Sequence, residues 1–439
     1  MSNLQVDFSK NIGRIKPMHA VNNGPIKKRA DQTNSNFDAY KAAGIPFARN
    51  HDASFCSSYG GEHAVDVWAI FPNPDADEND PASYDFILTD EYLERTLSAG
   101  TKIFYRLGNK IEHWIKKYGT LPPKDFAKWA RICEHIIRHY NEGWADGHEW
   151  NIEYWEIWNE PDLDPDDSSN KRCWGGTKAQ FFDLYEIAAK HLKSCFPNLK
   201  IGGPALANGI EWGEEFLFEM KKREVPIDFF SWHIYSCTTE KILKRARKIK
   251  DIMVRSGYGN AESILNEWNY IKDWSAHFTY SIEQIIGFKG AAFQSDVMLK
   301  CQNESVDMLM YYDARPSTFN GIFSMYVADK TLKGYESIVQ FSELYKLGTQ
   351  VECISEDGGL GAVAASDGKS GALMLSYYTD DDSERTVKTI DISLSGLEVK
   401  KLSVSYVDKT HSGKAKKIAA SDKLTIELNP NSFALIKVN

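Results

Sequence analysis

Residues 154–162 read Tyr-Trp-Glu-Ile-Trp-Asn-Glu-Pro-Asp, a short β-forming run that ends in Asn159, Glu160 and Pro161. Aromatic and branched side chains give the run its strand character, and Pro161 stops it and fixes the turn. A carboxylate at that point projects from a rigid base at the strand's C-terminal tip. In a parallel barrel this tip lies on the face where active sites are assembled. A second run of the same design, Ser-Ile-Leu-Asn-Glu-Trp-Asn at 263–269, ends in Glu267.

Outward from these two runs the pattern repeats. Between about residues 16 and 348 short apolar, β-rich runs alternate with longer helical patterns, the signature of βα units around a parallel sheet. Eight strands are predicted, at 16–21, 46–51, 102–107, 154–158, 200–203, 228–234, 263–268 and 306–312. Two intervening helices are well marked. One carries Phe126, Trp129, Ala130, Cys133, Ile136, Ile137 and Tyr140 at helical spacing; the other opens on a Thr177–Gln180 capping box and ends before Pro197. After residue 347 the texture becomes short alternating runs at 372–378, 388–394, 402–407 and 424–428, which predict antiparallel β structure. The expected fold is therefore α/β: a (β/α)8 TIM barrel over residues 1–347 and a C-terminal β-sandwich over 348–439. No low-complexity linker separates them, so rigid packing of the two is expected.

Composition narrows the function classes. With 439 residues, 42% apolar content and no apolar run of membrane-spanning length, no membrane partner is expected. A formal charge of −9 disfavours a nucleic-acid partner, and the most basic stretch, residues 241–250, has Ile242, Leu243, Ala246 and Ile249 at the spacing of a solvated amphipathic helix. Aromatic residues, at 13%, exceed what the core requires, and flat sugar faces stack on such rings. The N-terminus lacks the apolar segment of a secretory leader. Seven cysteines (56, 133, 173, 195, 237, 301 and 353) are scattered without a Cys-x-x-Cys pair, so a cytoplasmic address is expected unless a leader has been cleaved. His135 and His139 lack the Glu of a metalloprotease helix, and Asp380-Asp-Asp382 reads as a solvated hairpin tip. No cofactor or metal is expected.

Glu160 and Glu267 are 107 residues apart, three βα steps, which puts them on the fourth and seventh barrel strands across the mouth. Two carboxylates about 5 Å apart are what a retaining glycosidase needs: one attacks the anomeric carbon and the other protonates the leaving oxygen.

These motifs resemble clan A glycoside hydrolases, and most of all family 39, the β-xylosidase and α-L-iduronidase family. The resemblance runs through most of the barrel. It includes Leu-Pro-Pro-Lys-Asp-Phe-Ala-Lys-Trp at 121–129, the Trp-Asn-Glu-Pro block, Leu-Lys-Ile-Gly-Gly-Pro-Ala at 199–205, Val-Pro-Ile-Asp-Phe-Phe at 225–230 and His-Ile-Tyr at 233–235. It implies Glu160 as acid/base, Glu267 as nucleophile and Asn159 as a partner of the sugar 2-hydroxyl. It also implies that Arg49 holds the nucleophile region, that His51 meets a sugar hydroxyl, and that His233 and Tyr235 serve the acid/base and the nucleophile respectively. Trp155 and Trp158 are read as barrel core.

The expected activity is exo-acting, retaining hydrolysis of pentose-containing oligosaccharides. α-L-Arabinofuranosidase, β-galactosidase and endo-glycanase activities of the same clan are the alternatives, and a non-catalytic sugar-binding barrel is the rival from another class. An oligosaccharide is the expected partner; the sequence leaves a homo-oligomer open. The chain departs from the family at 310–313, Met-Tyr-Tyr-Asp, where Tyr312 stands in place of the usual Trp platform, and in the polar stretch Gly-Asn-Lys-Ile-Glu at 108–112. The first departure predicts that unsubstituted β-xyloside is not the best substrate.

Overall fold

The computed structural model of the protein describes residues 2–26, 35–51, 64–207 and 209–439; Cys56 falls outside this set. Eight parallel strands close into a barrel: β2 (Ala20–Asn22), β3 (Phe47–Arg49), β4 (Lys102–Leu107), β5 (Tyr154–Ile157), β6 (Lys200–Leu206), β7 (Phe229–Tyr235), β8 (Glu262–Asn269) and β9 (Met308–Tyr311). Each overlaps one of the predicted runs. The helix Phe126–Glu142 is capped by the Asp125 side chain, and Lys178–Cys195 opens on the expected capping box between Thr177 and Gln180. The basic stretch lies within the helix Thr239–Arg255, with Ile242, Leu243, Ala246 and Ile249 buried. Trp155 and Trp158 are fully buried in the core between barrel and helices.

The barrel interior is layered. Its floor is apolar, built by Ala20, Phe47, Phe104, Tyr154, Phe229, Ile264, Met308 and Met310. Two residues further along several of these strands, toward the C-terminal tips, the inward positions turn polar: Asn22, Arg49, Glu156 and Asn266, all fully buried. This polar layer is the support on which the site above it rests.

The remaining strands form a second, nine-stranded sheet. Its members are β1 (Ser2–Arg14), β10 (Thr349–Ser355), β11 (Leu360–Ser366), β12 (Gly371–Tyr377), β13 (Lys388–Ser395), β14 (Leu402–Val407), β15 (Lys416–Ile418), β16 (Lys423–Leu428) and β17 (Ser432–Val438). Residues 2–14, which the sequence groups with the barrel, instead pair antiparallel with β10 and parallel with β13. Leu4, Val6 and Phe8 alternate inward there, joining Leu402 and Val404 of β14 and Ile426 of β16 in one apolar core. Strands from opposite ends of the sheet thus share a core, so the sheet curls over on itself as a sandwich. The β1–β13 pairing makes it mixed rather than wholly antiparallel.

The helix Phe288–Gln302, buried at all but two of its 15 residues, lies between barrel and sheet. Its buried Asp296 accepts hydrogen bonds from Thr239 of the barrel (2.7 Å) and Ser376 of β12 (2.8 Å). Asp381 and Asp382 are exposed, as expected of a solvated tip, but Asp380 and Asp382 also hold the buried Lys289 ammonium at 3.0 and 2.9 Å, and Tyr270 and Tyr280 donate to them. A buried ammonium needs such partners, and these bonds tie sheet to barrel. Among the described residues no helix is long and apolar enough to cross a membrane.

Candidate active site

Strand β5 ends at Ile157, and the chain leaves it through Trp158 and Glu160, both at positive φ (74° and 49°). For residues with a Cβ this backbone is costly and persists only where surroundings hold it. Here Trp158 N–H donates to Leu107 O (2.6 Å), its indole N–H to Cys173 O (2.9 Å), and Glu160 N–H to Ala205 O (3.0 Å). Gly108 makes room for the turn: a Cβ there would lie 3.1 Å from Trp158 Cα. The turn carries Asn159 and Glu160 over the barrel mouth.

Glu267 is aimed by a different device. Along β8, Leu265 pairs with Trp232 and Glu267 with His233, so β8 holds one extra residue relative to β7, a β-bulge. Leu265 and Trp268 face the outer core while Ile264 faces the barrel floor. The bulge lets Asn266 and Glu267, consecutive in sequence, both turn inward. Asn266 then donates to Glu156 in the polar layer, and Glu267 faces the mouth.

The two carboxylates meet. An oxygen of Glu160, an oxygen of Glu267 and a ring nitrogen of His233 lie within 4.8 Å of one another. His233 Nδ1 is 2.8 Å from Glu160 Oε1 and 3.6 Å from Glu267 Oε2. Tyr235 donates its hydroxyl to Glu267 Oε1 at 2.6 Å. Arg49 lies beneath: its Nη1 is 3.4 Å from Glu267 Oε2, its Nε donates to Glu156 Oε2 at 2.7 Å, and Nη1 and Nη2 also reach Asn22 and Asn159. A carboxylate–imidazole–carboxylate set of this spacing is also open to a cation. The Arg49 guanidinium already supplies positive charge at Glu267.

Burial governs the protonation states. It pushes His233 down to about 4, so the imidazole is neutral near pH 7. It pushes Glu267 up to about 7, helped by the Glu160 carboxylate and opposed by the Arg49 charge and the Tyr235 hydrogen bond. The Glu160–Glu267 pair therefore keeps a proton close to neutrality, and that titration belongs to the pair. Burial also holds Tyr235 well above its ordinary value, so it remains a donor.

The cleft above these groups is a cavity of about 460 Å³, lined by Asn159, Glu160, His233, Tyr235, Glu267, His51 and Tyr312 among the described residues. All the expected site residues except Arg49, which supports them from below, thus border one space. The aromatic wall beside Glu267 also includes Trp274 and Phe319, which the sequence reading did not single out. Trp274 meets Tyr235 edge-on at 5.0 Å between centroids, and Phe319 is 5.9 Å from Tyr312. Glu156 was missed too, although a charge inside an otherwise apolar buried strand signals a buried partner.

A parallel barrel with facing carboxylates at the tips of its fourth and seventh strands has the architecture of the clan A glycoside hydrolases. Residues 62–280 match the model of glycosyl hydrolases family 39. The chain belongs to glycoside hydrolase family 39. It is similar to a β-xylosidase of Geobacillus stearothermophilus, 33% identical over 150 residues, and to one of Caldicellulosiruptor saccharolyticus, 30% identical over 171 residues. These stretches cover 33% and 38% of this chain but only 26% and 30% of the two relatives. In fold it is similar to a glucosidase from Croceicoccus marinus, with a TM-score of 0.81 and 22% identity over 100% of this chain and 99% of that one.

Proposed function

We propose that the protein is a retaining, exo-acting glycosidase that releases pentose units from oligosaccharides by double displacement. The observation that carries this reading is that an oxygen of Glu160 and an oxygen of Glu267 face each other within 4.8 Å across the barrel mouth, an approach that supports the close carboxylate pair of retention. In the first step a Glu267 oxygen bonds to the anomeric carbon as the bond to the leaving oxygen breaks, and the Glu160 proton passes to that oxygen. In the second, Glu160 takes a proton from water, the water oxygen bonds to the anomeric carbon, and the ester to Glu267 breaks. Arg49 and Tyr235 oppose the effect of burial on Glu267, favouring its ionised form, and fix it for attack. His233 Nδ1 orients Glu160, and Asn159 and His51 meet sugar hydroxyls.

Xylose and arabinose are the pentoses favoured, and the name β-xylosidase that both sequence relatives carry supports xylose. Tyr312 refines this. Its ring borders the cleft and brings a hydroxyl where the family carries an indole, which suits a sugar bearing an extra polar substituent. Arabinosides, galactosides or substituted xylosides are therefore expected to compete with plain β-xyloside. A cytoplasmic address, with short imported oligosaccharides as substrates, completes the proposal. Hydrolysis of a nitrophenyl glycoside panel, with the anomeric proton of the first-formed sugar followed by NMR, tests it; an inverted first product would sink the mechanism.

A further inference from the structure

The cleft does not stop at the two carboxylates. Ile111 and His113 border it and also border an adjoining hollow of about 430 Å³, walled by Trp114 and Tyr118. Trp114 and Tyr118 are 84% and 72% exposed, large apolar surfaces for water to cover.

The loop that carries them is pinned. The Glu112 carboxylate accepts from the backbone N–H groups of Tyr118, Gly119 and Thr120, at 3.0–3.2 Å at the nearest approach, and from the Thr120 hydroxyl at 2.7 Å. Lys117 Nζ reaches back to Glu112 O (2.5 Å) and to Trp114 O, and across to Asn170 Oδ1 (2.6 Å). Rings on so constrained a backbone lose little freedom when a ligand covers them.

The loop also has a definite side. Glu112 N–H donates to Arg172 O (2.9 Å) and Asn170 Nδ2 to His113 O (3.0 Å), so it rests on the segment after β5, the strand that presents Glu160. Cys173 of that segment lies 3.9 Å from Glu160 Oε2. The opposite wall, with Tyr235, Trp274, Phe319 and Tyr312, stands beside Glu267.

We infer that residues 110–118 form a binding site for the sugar units beyond the scissile bond, with Trp114 and Tyr118 stacking on unsubstituted pyranose faces. The inference rests on the proposed glycosidase reading: the acid touches the leaving oxygen, so the departing chain lies on the Glu160 side, where the cleft runs on into this hollow. The enzyme is thereby matched to oligosaccharides longer than a disaccharide.

The test compares wild type with Trp114→Ala, Tyr118→Ala and the double variant. Substrates are the nitrophenyl glycoside the protein hydrolyses best, whose aryl ring reaches only the first position past the cut, and the disaccharide to pentasaccharide series of the same sugar. Wild-type kcat/KM is expected to rise with chain length. Each substitution should lower it roughly three- to tenfold on the longest chains and leave the nitrophenyl glycoside unchanged. Chain length without effect, or variants that lower all substrates alike, would overturn the inference while the glycosidase reading stands. Sedimentation of the same proteins gives the other occupant its chance: an oligomer that the substitutions dissociate, with the length dependence untouched, makes this surface a contact between copies and overturns the sugar site. Hydrolysis of no glycoside at all defeats the underlying reading and this inference with it.

Discussion

Replacing Arg49 with methionine keeps most of the side-chain volume and removes its charge. Arg49 and Glu156 form an ion pair at 2.7 Å with both side chains fully buried, and Arg49 also stands 3.4 Å from Glu267. Removing one partner of a buried pair costs about 3–5 kcal/mol, because the other charge is stranded. Glu156 is the stranded group here, left with the Asn266 amide as a donor. The second effect falls on Glu267. A positive charge at this range lowers a carboxylate by about 1–3 pH units, so losing Arg49 drives Glu267 further above its present value. That value is already about 7. A larger share of Glu267 is then protonated at neutral pH and unable to attack. The acid limb of kcat/KM, near pH 7 in the wild type, moves upward by about one unit or more, with about a fivefold or greater loss at pH 7. The two effects separate in the double variant Arg49→Met, Glu156→Gln, which has no stranded charge. It should regain much of the lost stability and keep the displaced acid limb. Denaturant midpoints and pH–rate profiles of the three proteins read both. A single variant within about 1 kcal/mol of wild-type stability, or an acid limb that stays in place, would refute the reasoning.

Three further outcomes are expected. Glu267→Gln should gain stability relative to wild type as pH rises. The folded-state value of about 7 lies above the ordinary carboxylate value of 4.5, so this group's contribution is fully present below about 4.5 and lost as pH climbs through 7. The difference in unfolding free energy between variant and wild type should therefore grow by up to about 3 kcal/mol between pH 4.5 and 8, and a flat difference contradicts the assignment. Glu160→Ala should cut kcat/KM for oligosaccharides by about 10²–10⁴ but spare kcat/KM for dinitrophenyl glycosides, whose leaving groups need little protonation, while kcat falls on both because the second step has lost its base; equal losses of kcat/KM on both would remove Glu160 from the acid role. Tyr312→Trp should shift the kcat/KM ranking toward plain β-xyloside, and an unchanged ranking means that residue 312 does not set specificity.

Much of this molecule was legible in the sequence because its decisive features are local. Eight apolar runs with helical intervals mark the barrel, and Trp-Asn-Glu-Pro marks a strand tip whatever the distant partners are. The features that escaped are pairings between distant residues. Leu4, Val6 and Phe8 announce a strand by their alternation, yet nothing near them says that β10 and β13, more than 340 residues away, are the partners. The polar layer of Asn22, Arg49, Glu156 and Asn266 comes from four separate strands and becomes one network only when the barrel closes. The bulge that turns Glu267 inward is a matter of register against β7, and register has no single-strand signature. Nothing in the solvated tip at 380–382 announced the buried ammonium that Asp380 and Asp382 also hold, because Lys289 belongs to a helix about 90 residues earlier.

The central claim is that Glu267 forms a covalent bond to the sugar. Incubation with a 2-deoxy-2-fluoro glycoside bearing a dinitrophenyl leaving group, followed by proteolysis and mass spectrometry, tests it directly. The fluorine slows both steps, while the good leaving group keeps the first fast enough for the glycosyl-enzyme to accumulate. The account expects one sugar per chain, carried by the peptide containing Ser-Ile-Leu-Asn-Glu-Trp-Asn and located on Glu267. A label on Glu160 or on any other residue, or steady hydrolysis of the reagent to an inverted product with no labelled protein, would contradict it.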